Sequence, residues 1–128
     1  MELLEECRRI GGCATGEAVI TSGYNLRAKY IIHAVGPIWH GGNDREDELL
    51  RSAYYNSLKL AEEKRILSIS FPSIGTGAYG FPVGRAAKIA VKTVNNFLES
   101  GIFIKKVVFV LFSDSDYDVY AGALDALK

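Results

Sequence analysis

The run Phe71-Pro72-Ser73-Ile74-Gly75-Thr76-Gly77-Ala78-Tyr79-Gly80-Phe81-Pro82 constrains this chain more than any other stretch. It follows residues 66–71, which have strand character, and leads into a segment of helical periodicity that opens at Pro82. Glycines at 75, 77 and 80 let the backbone turn where a side chain would resist, and they clear room for close approach. Proline suits the first helical position, where its missing N–H leaves no bond unmade. A glycine-rich turn between strand and helix gathers backbone N–H groups at one place, and that favours a phosphate. Three glycines with Ser73 and Thr76 exceed what a plain turn requires. Ser73, Ile74, Gly75, Thr76, Gly77, Ala78, Tyr79 and Gly80 are therefore the candidate ligand-binding residues.

The segments around this loop order themselves. Residues 2–10 read as a short helix with Leu3, Cys7 and Ile10 on one face, stopped by Gly11-Gly12. Residues 17–21 and 29–35 read as strands, separated by turn residues Ser22-Gly23-Tyr24-Asn25, a link too short for a helical crossover, so if they pair they pair antiparallel. Asn43-Asp44-Arg45-Glu46 has a capping-box pattern and opens a helix to about Lys64, whose apolar stripe is Leu50, Ala53, Tyr54, Leu58 and Ala61. After the glycine loop, residues 82–99 carry Val83, Ala86, Ala87, Ala90, Val94 and Phe97 on one face, and Gly101 ends the helix. Residues 107–112 are continuously apolar, as in a strand covered on both faces. Ser113 caps a last helix with the stripe Tyr117, Tyr120, Leu124 and Leu127. The order α-β-β-α-β-α-β-α predicts two successive βαβ units and a three-layer α/β/α sandwich forming one domain over residues 1–128. In such sheets ligands sit beyond the carboxyl ends of the strands. Gly36-Pro37-Ile38-Trp39, the glycine loop and Phe112-Ser113-Asp114 lie at that edge, so they are expected to face one crevice.

Charge and cysteine usage narrow the partners. Fifteen Lys and Arg balance fifteen Asp and Glu, so there is no excess basic field for nucleic acid. One small phosphorylated ligand held by backbone dipoles remains compatible with that balance. Cys7 and Cys13 have no zinc-finger spacing and read as reduced thiols of a cytoplasmic protein. No apolar run approaches membrane-spanning length, and the acidic start Met1-Glu2-Leu3-Leu4-Glu5-Glu6 lacks the basic region of a signal peptide.

Gly75-Thr76-Gly77-Ala78-Tyr79-Gly80 also fits the G-x-G-x-x-G pattern of dinucleotide-binding loops. In that fingerprint the helix opens within the glycines, whereas here Phe81-Pro82 postpones it. The acidic partner, expected about 20 residues on, would have to be Asp114, which lies much further along. An NAD(P)-type dinucleotide domain is thus the alternative reading. Tyr79, at the loop's apex, either stacks on a sugar or base or folds back onto the core. Phe112 ends an apolar strand at the crevice, where core packing and adenine stacking are both open to it. His33 and His40 have no partner at metal-ligand spacing, Ser73 lacks the Gly-x-Ser-x-Gly elbow, and Asp114, Asp116 and Asp118 lack the glycine and glutamate of a calcium loop. No metal and no cofactor are expected. The residues themselves support binding better than catalysis.

Four stretches together carry a family resemblance: Leu3-Leu4-Glu5-Glu6-Cys7, Cys13-Ala14-Thr15-Gly16-Glu17-Ala18, Ile32-His33-Ala34-Val35-Gly36-Pro37-Ile38-Trp39 and Pro72 to Pro82. They resemble the macro-domain family, and within it the branch that removes ADP-ribose from proteins and deacetylates O-acetyl-ADP-ribose. The resemblance implies a mixed sheet, with ADP-ribose or an ADP-ribosylated protein as partner. It further implies that Ser73 to Tyr79 wrap the diphosphate, Tyr79 borders the distal ribose and Phe112 lies against adenine. The family's domain opens with a strand pair, an Asn-Ala-Ala-Asn strand, and a glycine-rich loop with a catalytic aspartate, and none of these has a counterpart here. The expectation is a chain truncated at its N-terminus that holds ADP-ribose with weak or no hydrolysis. The family's Asn-Ala-Ala-Asn strand lies between the counterparts of residues 30–35 and 66–71. Its absence implies one of three outcomes: those strands close on each other, a second copy masks their edges in a homodimer, or the gene product begins upstream of Met1.

Overall fold

Two short extended stretches pair first. In the computed structural model, which describes residues 15–22, 30–111 and 113–127, strand β1 (Ala18–Ser22) runs antiparallel to strand β2 (Tyr30–Ala34), with Ala18 opposite Ala34 and Ser22 opposite Tyr30. This is the pairing that the short link demands. The expected helix over residues 2–10, Cys7, Cys13 and Phe112 lie outside the described residues.

Helix α1 (Glu46–Glu63) follows. Its apolar stripe is the one the sequence predicts, since Leu50, Ala53, Tyr54, Leu58 and Ala61 are all buried. Its start is different. Asn43 does not cap it; Arg45 occupies the cap position in a left-handed conformation, φ 62°, with no side-chain cap bond. The Glu46 carboxylate instead reaches back and accepts the N–H groups of His40 (2.7 Å), Gly42 (2.9 Å) and Asp44 (2.6 Å). Glu46 thus organises the loop before the helix rather than completing a capping box.

Burial alone would raise the Glu46 carboxyl, but the backbone donors outweigh it and bring it from 4.5 to about 2. A carboxyl depressed in the folded state stabilises the fold fully above its unfolded value. That contribution fades as pH falls from about 4.5 to about 2. Glu46→Gln is therefore expected to melt at a lower temperature at neutral pH and to show a flatter acid limb across that window. Parallel melting curves for the two proteins from neutral pH down to acid would disprove this role.

Strand β3 (Ser68–Phe71) and strand β4 (Lys106–Phe109) pair in parallel, with Phe71 opposite Phe109. Helix α2 (Val83–Ser100) is their crossover, so one βαβ unit closes as expected. Pro82 sits one position before this helix, and its carbonyl accepts the Ala86 N–H at 2.9 Å. Helix α3 (Asp114–Asp125) is capped by Ser113, whose hydroxyl accepts the Asp116 N–H at 3.1 Å.

Three details depart from the sequence reading. Among the described residues strand β4 is covered on one face only: Val107 and Phe109 pack on the core while Val108 is exposed, because the described helices gather on the side of Phe71 and Phe109. Of the stripe expected on α3, Tyr120 is buried, but Tyr117, Leu124 and Leu127 are exposed. Among the described residues β2 and β3 form no ladder, so the second βαβ unit does not close. A cleft of about 790 Å³ separates them, lined by Ile32 and Ala34 on one side and Ser68–Pro72 on the other. The architecture is α/β, with a small parallel sheet and helices packed on it. No helix among the described residues is long and apolar enough to cross a membrane.

Candidate functional site

The loop after β3 is held from four directions, and each support comes from a different part of the chain. Helix α1 supplies Tyr54, whose ring packs against Phe71 at 5.1 Å and Phe109 at 6.2 Å between centroids. Its hydroxyl donates to the Pro72 carbonyl (3.3 Å) and accepts the Ile74 N–H (3.0 Å). Helix α3 supplies Tyr120, whose hydroxyl lies 2.6 Å from the Ser73 hydroxyl. Burial pushes the Tyr54 hydroxyl well above its ordinary value of 10.0, and burial raises Tyr120 as well. Both phenols therefore stay neutral at any working pH.

The segment between β2 and α1 forms the third support. The Trp39 N–H donates to the Tyr79 carbonyl at 2.9 Å, and the Trp39 ring lies 4.9 Å from Phe81. Arg85 stacks on the other side of Trp39, 5.1 Å from its centroid, while its guanidinium holds Asp47 at 2.6 and 2.7 Å. Gly36 approaches closest of all. A Cβ placed there would stand 2.7 Å from Ile74 Cγ2 and 3.1 Å from the Gly75 nitrogen. The fourth support is the loop itself, through Phe81 N–H to Gly75 O (3.0 Å) and Thr76 Oγ1 to Ser73 O (3.0 Å).

Gly75, Gly77 and Gly80 take φ values of 82°, 70° and 77°, all in the left-handed region where a side chain is strained. A short 3₁₀ turn, Gly77–Tyr79, crosses the apex, and its capping Gly80 N–H bonds Gly77 O at 2.9 Å. A Cβ at Gly77 would meet no atom within 4 Å. Helix α2 begins only at Val83. That delay separates the loop from the dinucleotide fingerprint, whose helix opens inside the glycines.

The decisive geometry concerns the amides. Among the described residues, the N–H groups of Gly75, Thr76 and Gly77 have no protein acceptor, whereas those of Ile74, Gly80 and Phe81 are bonded and that of Tyr79 lies inside the 3₁₀ turn. Backbone donors without partners are uncommon in folded proteins and are satisfied by water or ligand. Three in succession, at the carboxyl end of a parallel strand, form an arrangement that suits an anion.

The predicted residues thus fall into two groups. Gly75, Thr76 and Gly77 present free donors. Ser73 and Ile74 are structural in their side chains, one bonded to Tyr120 and the other packed on the core near Gly36. Tyr79 is 41% exposed, so its ring does not fold back into the core. Gly36 and Trp39 lie in the segment expected at the loop's crevice and meet it there, whereas the sequence shows Tyr54 and Tyr120 only as members of apolar stripes. The available signal was a pair of tyrosines on apolar stripes, since a buried phenol must find a partner. Among the described residues no three metal-ligating side chains cluster.

Residues 1–90 match the Macro domain family. This chain belongs to the macro domain family. A macro domain-containing protein of Caldanaerobacter subterraneus subsp. tengcongensis is 64% identical over 117 residues, covering 91% of this chain and 66% of that protein. A protein of Escherichia fergusonii named O-acetyl-ADP-ribose deacetylase is 47% identical, over 93% of this chain and 70% of its own length. A mutant macrodomain of Oceanobacillus iheyensis, solved with ADPR, superposes with a TM-score of 0.92 at 44% identity, covering 99% of this chain and 72% of that one. This macro domain therefore spans about two thirds of the length of the curated relative with 64% identity.

Proposed function

We propose that this macro domain binds ADP-ribose, free or attached to a protein, by holding its diphosphate on the backbone amides of residues 73–80. The observation that carries this reading is the set of three successive unpartnered N–H groups at Gly75, Thr76 and Gly77. A diphosphate offers several oxygen acceptors within the span of such a turn, and hydrogen bonds to charged oxygens are among the strong ones. The family membership and the ADPR-bound relative support the choice of ligand. Tyr79, exposed at the apex, is placed by this reading against the distal ribose.

The activity follows from the same chemistry. Backbone amides and neutral phenols bind an anion and transfer no proton at neutral pH. The E. fergusonii relative is named a deacetylase; for the 128-residue chain the expectation is recognition, with slow or no turnover of O-acetyl-ADP-ribose.

Calorimetric titration with ADP-ribose, ADP and NAD tests both parts. Binding of ADP-ribose and ADP by the wild type is expected, with none by Gly77→Val, where a β-branched side chain at φ 70° would be strained and would fill the open side of the loop. Binding of NAD without ADP-ribose would transfer the site to the dinucleotide class. Rapid release of acetate from O-acetyl-ADP-ribose would make the chain a hydrolase in its own right.

A further inference from the structure

The two phenols beneath the loop do more than fill the core. Tyr54 bonds the Pro72 carbonyl and the Ile74 N–H, the groups immediately before and after Ser73, and Tyr120 bonds the Ser73 side chain. Residue 73 is therefore gripped through the peptides on both its sides and through its hydroxyl, by two helices that are 66 residues apart at these tyrosines in the sequence. The grip is rigid. The Tyr54 ring meets Phe71 and Phe109 edge-on, two rings that stack on each other, and Tyr120 lies 5.2 Å from Phe109. Neither hydroxyl can follow a wandering loop, so the loop must conform to them.

We infer that Tyr54 and Tyr120 are positioning residues for the ligand: their hydroxyls fix the peptides around Ser73 and thereby aim the donors of Gly75, Thr76 and Gly77. The first free amide, Gly75 N–H, is one residue beyond the amide Tyr54 holds. A rotation of the 73–74 segment therefore passes directly into the donor set. Leu50, one helical turn before Tyr54, supports Gly75 from below, with its Cδ1 3.4 Å from where a Cβ would stand. One face of α1 thus carries both the packing and the polar anchor of the loop. Tyr120 has the lesser part, because Ser73 is only half-buried and its hydroxyl can turn to water once the phenol is gone.

This inference rests on ADP-ribose being the ligand, and the test separates the two. Wild type, Tyr54→Phe and Tyr120→Phe are titrated with ADP-ribose and with adenosine, which lacks the diphosphate. Val94→Ala, a buried truncation on α2 that lines the same cleft as Tyr120 but keeps both hydroxyls, serves as a packing control. Tyr54→Phe keeps the ring and strands one donor and one acceptor; it is expected to weaken ADP-ribose about tenfold and leave adenosine unchanged. Tyr120→Phe is expected to weaken ADP-ribose about threefold. Amide exchange in the unliganded protein is expected to quicken about tenfold at Ile74 in Tyr54→Phe, with no change along α2. Wild-type affinity in Tyr54→Phe would overturn the inference. So would equal losses for ADP-ribose and adenosine, or the same loss in Val94→Ala. Absence of ADP-ribose binding in the wild type would overturn the functional reading first and this inference with it.

Discussion

Gly36→Val is expected to lose ADP-ribose binding by about a hundredfold, equivalent to about 2.8 kcal/mol, while the rest of the domain folds. Gly36 takes no left-handed backbone conformation; its constraint is space alone. The first side-chain atom would lie 2.7 Å from Ile74 Cγ2, 3.1 Å from the Gly75 nitrogen and 3.2 Å from the Gly75 Cα. Ile74 cannot swing aside freely, since its methyl is close to the backbone and its amide is bonded to Tyr54. The loop itself must therefore move, and with it the first donor of the proposed site. Overpacking of this kind costs about 1–3 kcal/mol of stability, which a domain of ordinary stability, about 5–15 kcal/mol, tolerates. Calorimetry with ADP-ribose and a urea unfolding curve decide the matter together. Near-normal affinity in a folded Gly36→Val protein would show that the loop's position is not what binds the ligand.

Phe81→Ala is expected to be the most destabilising single change near the site, by about 3–5 kcal/mol. Phe81 is 2% exposed and packs against Trp39, and its N–H closes the loop on Gly75 O at 3.0 Å. Truncating the ring leaves a cavity beside the loop, because it removes the Phe81 Cδ2 that lies 3.8 Å from where a Cβ on Gly75 would stand. Phe81→Leu keeps most of that volume and is expected to cost under about 1.5 kcal/mol and to bind nearly as wild type. Urea unfolding of the two variants reads the difference, and equal midpoints for alanine and wild type would refute the role given to this ring.

The loop was legible in the sequence because its conformation is a local matter. Glycine at 75, 77 and 80 is the residue that tolerates the φ values found there, and Pro82 delays α2 by the same short-range sterics. The stripe of α1 was legible too, because a 3.6-residue period carries its own burial pattern. The start of α1 was not. Asn43 and Glu46 have capping-box spacing, yet the Glu46 carboxylate found three backbone donors in the preceding loop and took those. A motif counts residues along the chain; it does not count competing donors folded nearby.

What depends on neighbours within a few residues could be read from the chain: the turns, the buried face of α1, the antiparallel sense open to β1 and β2, and the glycine bend proposed here to accept an anion. Only the tertiary structure decided that Gly36 would press on Gly75, that Tyr54 and Tyr120 would grip Ser73 from opposite helices, and that β2 and β3 would face each other across a cleft without pairing. Those facts depend on which distant segments meet and at what separation, and a contact of that kind leaves no period or spacing in the chain to be read.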